Sequence, residues 1–84
     1  MENYKMRMSK ELYNLQRRII RLGKFIKTHD YTTGFDPIQL SLMKNQYDYM
    51  GKYFTMLFLR CQLSFDMDEF EDLMKKLNYD TIED

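Results

Sequence analysis

The sequence predicts an all-α protein: an antiparallel helical hairpin with short flanking helices, assembling into a compact helical oligomer. Three observations predict it. Apolar residues recur at alternating steps of four and three over two long stretches, the spacing of one helix face. An Asp-Pro pair separates the stretches and restarts the pattern. No segment alternates polar and apolar residues as a half-buried strand does. The 84 residues make one domain, 1–84.

The first helix is expected over about 9–28. Met8, Leu12, Leu15, Ile19, Leu22 and Ile26 form its stripe, and Ser9 is its expected N-cap. Gly23 falls inside the pattern, where it costs roughly 1 kcal/mol against alanine, or permits a close helix approach. A loop over 29–36 follows, rich in the turn formers Thr, Gly and Asp. Asp36 and Pro37 then open a second helix to about 63, since Asp caps and Pro fits the first helical position. Its main stripe is Met43, Tyr47, Met50, Phe54, Leu57 and Cys61, which predicts core packing for Tyr47. A second stripe, Leu42, Tyr49, Tyr53, Met56 and Leu63, predicts the same for Tyr53. Gly51 could allow a bend. A short acidic helix is expected over about 65–78, capped by Ser64 or Asp66, with a polar end that frays from Asn78. One hairpin cannot cover all these apolar faces, so self-association is expected.

Composition limits the chemistry. Cys61 is the only cysteine and His29 the only histidine, which leaves no internal disulfide and no zinc site. No metal and no cofactor is expected. Cys61 lies on the apolar stripe and His29 at the loop end, so a hairpin holds them apart and no catalytic pair is expected; the protein reads as a binder and not an enzyme. The carboxylates Asp66, Asp68, Glu69, Glu71 and Asp72 suit the start of a helix dipole better than acid–base work. The N-terminus has no apolar signal region, and no segment is long enough to span a membrane, so a cytoplasmic, membrane-free protein is expected.

Net charge is zero but segregated. Residues 1–30 carry eight Lys and Arg against Glu2, Glu11 and Asp30, whereas residues 64–84 carry eight acids against Lys75 and Lys76. The front suits an anionic ligand or the protein's own acidic end. Lys10, Arg17, Arg21 and Lys24 fall on one side of the first helix. A solvated face accounts for them, and so does phosphate binding by arginine forks. Tyrosines near such cations can stack on bases; Tyr4 and Tyr13, away from the stripes, are the freer candidates. Zero net charge argues against long RNA or DNA as the partner.

Two runs carry a family likeness. Glu11-Leu12-x-x-Leu15-x-x-x-Ile19-x-x-Leu22-x-x-Phe25-Ile26 precedes the loop, and Leu42-Met43-x-x-Gln46-x-x-x-Met50-x-x-Tyr53-x-x-x-Leu57-x-x-Arg60 follows it. Over about residues 8–63 the chain resembles the small phage proteins that act as anti-CBASS cyclic-oligonucleotide sponges, and related crAss-phage-like proteins. The resemblance implies a hairpin that assembles into a homohexamer. It implies binding of cyclic di- or trinucleotides made by the host, without cleavage, in the host cytoplasm. A lysine after the Phe-Ile pair holds ligand in that family, and Lys27 matches it. The family's base-stacking tyrosine falls on Leu12 here, with Tyr13 adjacent and Tyr4 an alternative. Arg60 matches an arginine of the larger-ring site, and Lys24 is a further lining candidate. The acidic third helix has no counterpart in the resemblance. A second reading from the residues alone is a small interaction module that inhibits a host protein through its Tyr- and Met-rich second helix.

Overall fold

The computed structural model describes residues 3–29 and 34–83. It holds three helices: α1 (Tyr4–His29), α2 (Pro37–Ser64) and α3 (Met67–Glu83). There is no strand among the described residues. Of the expected loop, residues 30–33, with Tyr31, lie outside them.

Helix α1 begins five residues before the expected Ser9 cap. Asn3 does the capping: its Oδ1 accepts the Met6 N–H at 2.9 Å, so the first turn has a partner without Ser9. Helix α2 starts at the Asp-Pro pair. The Asp36 carboxylate accepts the Ile38 N–H at 2.9 Å, and the chain enters past Gly34, whose φ of 104° favours a residue without Cβ. The helix continues through Gly51 to Ser64 and ends where Phe65 turns extended, its N–H returning to the Cys61 carbonyl at 2.9 Å. Asp66, not Ser64, caps α3. Its Oδ1 takes the Glu69 N–H at 2.8 Å while the Glu69 carboxylate takes the Asp66 N–H at 3.0 Å, a reciprocal capping box. The helix runs on to Glu83, past the expected fraying point at Asn78.

The α1 and α2 helices are antiparallel. Met8 and Leu12 of α1 share a core with Leu57 and Cys61 of α2, and Gly23, further along α1, faces Tyr47, earlier in α2. A Cβ at Gly23 would stand 3.0 Å from the Tyr47 ring, so its missing side chain lets that ring lie against α1. Helix α3 returns along the start of α1 in the same direction. Lys5 Nζ bonds Glu69 at 3.1 Å near its beginning, and Gln16 Nε2 donates to the Leu77 carbonyl at 2.8 Å near its end. Leu73 and Leu77 close over Met8, Leu12, Leu57 and Cys61. Phe70 meets Phe58 edge to face at 5.5 Å.

Every buried side chain belongs to this end or borders it: Met8, Leu12, Leu15, Leu57, Cys61, Leu73 and Leu77. None from Gln16 to Met56 is buried among the described residues. The second half of α1 and the first half of α2 pack as a bare pair. Tyr47 and Tyr53, expected in the core, are exposed: Tyr53 lies on the side of the hairpin away from α3, and Tyr47 lies in the loop-end half, where no side chain is buried among the described residues. No helix among the described residues is long and apolar enough to cross a membrane.

Candidate functional site

The buried stripe of α1 has two flanks. At 100° per residue, Tyr13, Lys24 and Lys27 project within an arc of roughly 60° on one flank. Helix α3 lies on that flank. Lys76 places its ammonium 4.8 Å from the Tyr13 ring centroid, and Arg17 approaches the same ring at 5.7 Å. Tyr13 is therefore half-buried and already stacked with cations, in contrast to the freer aromatic expected there. Beside it, Lys5, Lys10, Lys76, Glu69 and Asp72 line a cleft of ≈ 320 Å³ between α1 and α3. The hydrogen bond from Lys5 to Glu69 raises the lysine pKa above its ordinary 10.5, outweighing the opposing desolvation.

The sequence-derived candidates do not meet within one chain. Tyr13 and Lys27 share a flank but stand 14 residues apart, roughly 21 Å along the helix. Tyr4 lies further still, exposed at the start of α1. Lys24 and Lys27 are exposed near the loop end, while exposed Arg60 sits late in α2, at the other end. Arg60 follows Tyr53 by seven residues, so it shares that residue's side of α2, away from α3. One copy thus offers Tyr4 and Tyr13 at one end, Lys24 and Lys27 at the other, and Arg60 on the opposite side.

That opposite side brings Arg7, Asn14 and Arg18, which the sequence reading did not single out, beside residues that it did. Arg7, Glu11, Asn14, Arg18 and Tyr53 line one cleft of ≈ 350 Å³. Tyr53 donates its hydroxyl to the Glu11 carboxylate across it. Arg18 also borders the next cleft, ≈ 440 Å³, with Arg21, Leu22, Phe25, Met43, Gln46 and Met50. The signal was present: Arg18 and Phe25, and Gln46 and Tyr53, are seven residues apart beside the apolar stripes, the positions that flank a helix–helix seam.

Cys61 and His29 lie at opposite ends of the hairpin. Cys61 is fully buried, and desolvation pushes its thiol pKa up against the smaller pull of Arg60. His29 is at the far end, stacked on Phe25 with centroids 3.9 Å apart and near Phe35. No group of three or more His, Cys, Asp or Glu among the described residues could hold a metal ion. What the arrangement presents is a run of α1 cations, Arg17, Arg18, Arg21, Lys24 and Lys27, with no acid between Glu11 and His29. Aromatic rings flank that run on both sides. Guanidinium and ammonium groups pair with anions, and aromatic rings stack on flat rings.

The profile of the Sequestin family matches residues 2–63. The chain belongs to the Sequestin family. The Sequestin segment covers the whole hairpin up to the last residue before Ser64, and α3 lies outside it. The family name denotes sequestration. No curated protein and no solved structure matches the chain.

Proposed function

We propose that this Sequestin protein is a phage-encoded sponge. It binds cyclic di- or trinucleotide messengers, sequesters them in the host cytoplasm without cleaving them, and so blocks the host's CBASS response. The supporting observation is the family match over a hairpin whose loop-end half is cationic, aromatic and coreless. An anion with stacked bases neutralises such a surface and fills it. Binding without conversion fits the buried, neutral Cys61 and its distance from His29.

The ligand cleft forms between copies. Tyr13 and Lys27 are too far apart on one helix to hold one small ring together, so different copies must contribute them. The surface for association is on α2. Leu42, Tyr49, Met56 and Leu63 are exposed at strict seven-residue steps, with Met56 at 65% and Leu63 at 88%. A stripe of that period seats a partner helix. The homohexamer implied by the sequence resemblance is one way to close it.

Titration calorimetry against cyclic di- and trinucleotides, with native mass spectrometry of the same samples, tests the proposal. Expected are heat at micromolar protein, an oligomer carrying intact ligand, and no hydrolysis product. No heat with any of these ligands ends the sponge reading. The exposed α2 stripe equally favours a second reading, a module that inhibits a host protein. A stoichiometric host partner, recovered without nucleotide and lost in Tyr49→Glu/Met56→Glu, replaces the first reading with the second.

A further inference from the structure

We infer that the cleft bordered by Arg18, Arg21, Phe25 and Gln46 is a nucleoside-phosphate site complete within one chain. It goes beyond the shared cleft proposed above, because no second copy supplies any of its groups.

Arg18 and Arg21 are three residues apart on α1, so their side chains are neighbours on the helix surface. Both are exposed, and neither pairs with a carboxylate among the described residues. Two adjacent guanidinium groups repel one another, and a phosphate that accepts from both relieves that repulsion through charge-assisted bonds. They stand at the rim of an apolar floor. Leu22 and Phe25 of α1 and Met43 and Met50 of α2 line it, all at least partly exposed. Its volume, ≈ 440 Å³, is in the range of small-molecule sites.

Each lining group has a use. His29 stacks on the Phe25 ring and Phe35 meets it edge to face at 5.8 Å, and Phe25 also lines the cleft, where a flat base can contact it. Methionines adapt to a ring's outline because their side chains are unbranched and polarisable. The Gln46 amide, exposed at the edge, donates and accepts, as base-edge recognition requires. On the other side of the seam, Gly23 lets Tyr47 pack close against α1. Tyr47 therefore does not fill this cleft. Helix α3, which carries Glu69 and Asp72, lies on the flank of α1 away from Arg18. Glu11, in the adjoining cleft, is engaged by Tyr53.

The ligand chemistry is a phosphate joined to a base, and either a mononucleotide or one unit of a cyclic oligonucleotide presents it. NMR of the methionine methyls distinguishes the two. Adenosine monophosphate, inorganic phosphate and a cyclic dinucleotide are each titrated into dilute protein, with calorimetry in parallel. Adenosine monophosphate is expected to shift the Met43 and Met50 methyls, and Arg18→Gln/Arg21→Gln to weaken it about tenfold or more. Phe25→Leu should weaken the nucleotide while leaving inorganic phosphate unchanged. If the cyclic dinucleotide moves the same methyls, the phosphodiester is a natural occupant. The site is refuted when neither nucleotide moves these methyls, or when the double arginine variant binds as the wild type does. Cyclic-ligand heat without methyl shifts removes this site and keeps the sponge. Mononucleotide shifts without cyclic-ligand heat do the reverse.

Discussion

The two ends of the hairpin are made from the same helices and differ in what lies beside them. At the open end, Met8, Leu12, Leu57 and Cys61 are sealed by Leu73 and Leu77 of α3. At the loop end, Ile19, Leu22, Ile26, Met43 and Met50 continue the same stripes and are only half-buried. A period of four and three places apolar residues on one face, but burial needs a third element, and only one end has it. The open end therefore carries the stability, and the loop end carries the unfinished apolar surface and the cleft beside Arg18 and Arg21. The Sequestin segment supplies both ends of the hairpin; the seal on one of them comes from outside it.

Truncating one leucine at each end gives the largest test of that difference. Leu57→Ala removes a fully buried side chain and should cost about 2–5 kcal/mol. Leu22→Ala, half-buried beside an open cleft, should cost about 1 kcal/mol in dilute protein. Urea midpoints measure both. Equal losses would mean the loop end is as well packed as the other, and the comparison would collapse.

Association is the next largest effect. Tyr49→Glu/Met56→Glu puts charge on the α2 stripe and should return the protein to monomers in sedimentation. The urea midpoint of dilute protein should move by less than about 0.5 kcal/mol, because neither residue touches the open-end core. A wild-type protein that sediments as a well-folded monomer at high concentration would show that the loop end needs no partner, and the shared ligand cleft would go with it.

The sequence made the helices legible and their environments much less so. Asp36-Pro37 and Asp66 with Glu69 are local signals, and both work through bonds to nearby backbone N–H groups. Asn3 is equally local, but Ser9 offered a competing cap closer to the apolar stripe. Which stripe residues become buried was not readable, since it depends on where α3 docks. The same docking decides the candidate site. It puts Lys76 on Tyr13 and leaves the other flank, with Arg18 and Gln46, open. No spacing within α1 or α2 encodes that choice.

The glycines sharpen the comparison at about 1 kcal/mol. Gly51 has nothing within 4 Å of an added Cβ, so Gly51→Ala should gain close to the full helix-propensity difference, about 1 kcal/mol. Gly23→Ala makes the same gain but presses its methyl on Tyr47 at 3.0 Å. The half-exposed ring must shift, so the net gain should be smaller by a few tenths of a kcal/mol or more. Thermal melts of the two variants compare them directly. An equal gain from both would show that Tyr47 yields without cost and that the loop-end seam is loosely held.

The smallest effect is a pH dependence at the open end. The hydrogen bond to Glu69 raises the Lys5 pKa above 10.5 in the folded protein. A raised pKa means the folded state holds that proton more tightly than the unfolded chain does. The stabilisation is then complete below the ordinary lysine value and fades as pH rises through the raised one. Wild type should melt slightly above Lys5→Met at pH 7, with the gap unchanged to about pH 10 and shrinking beyond it. The pair is half-exposed, so salt should narrow the gap as well. A gap that persists unchanged to high pH would mean that Lys5 stabilises the seal through its methylene stem against Phe65 and Leu73, and not through its charge.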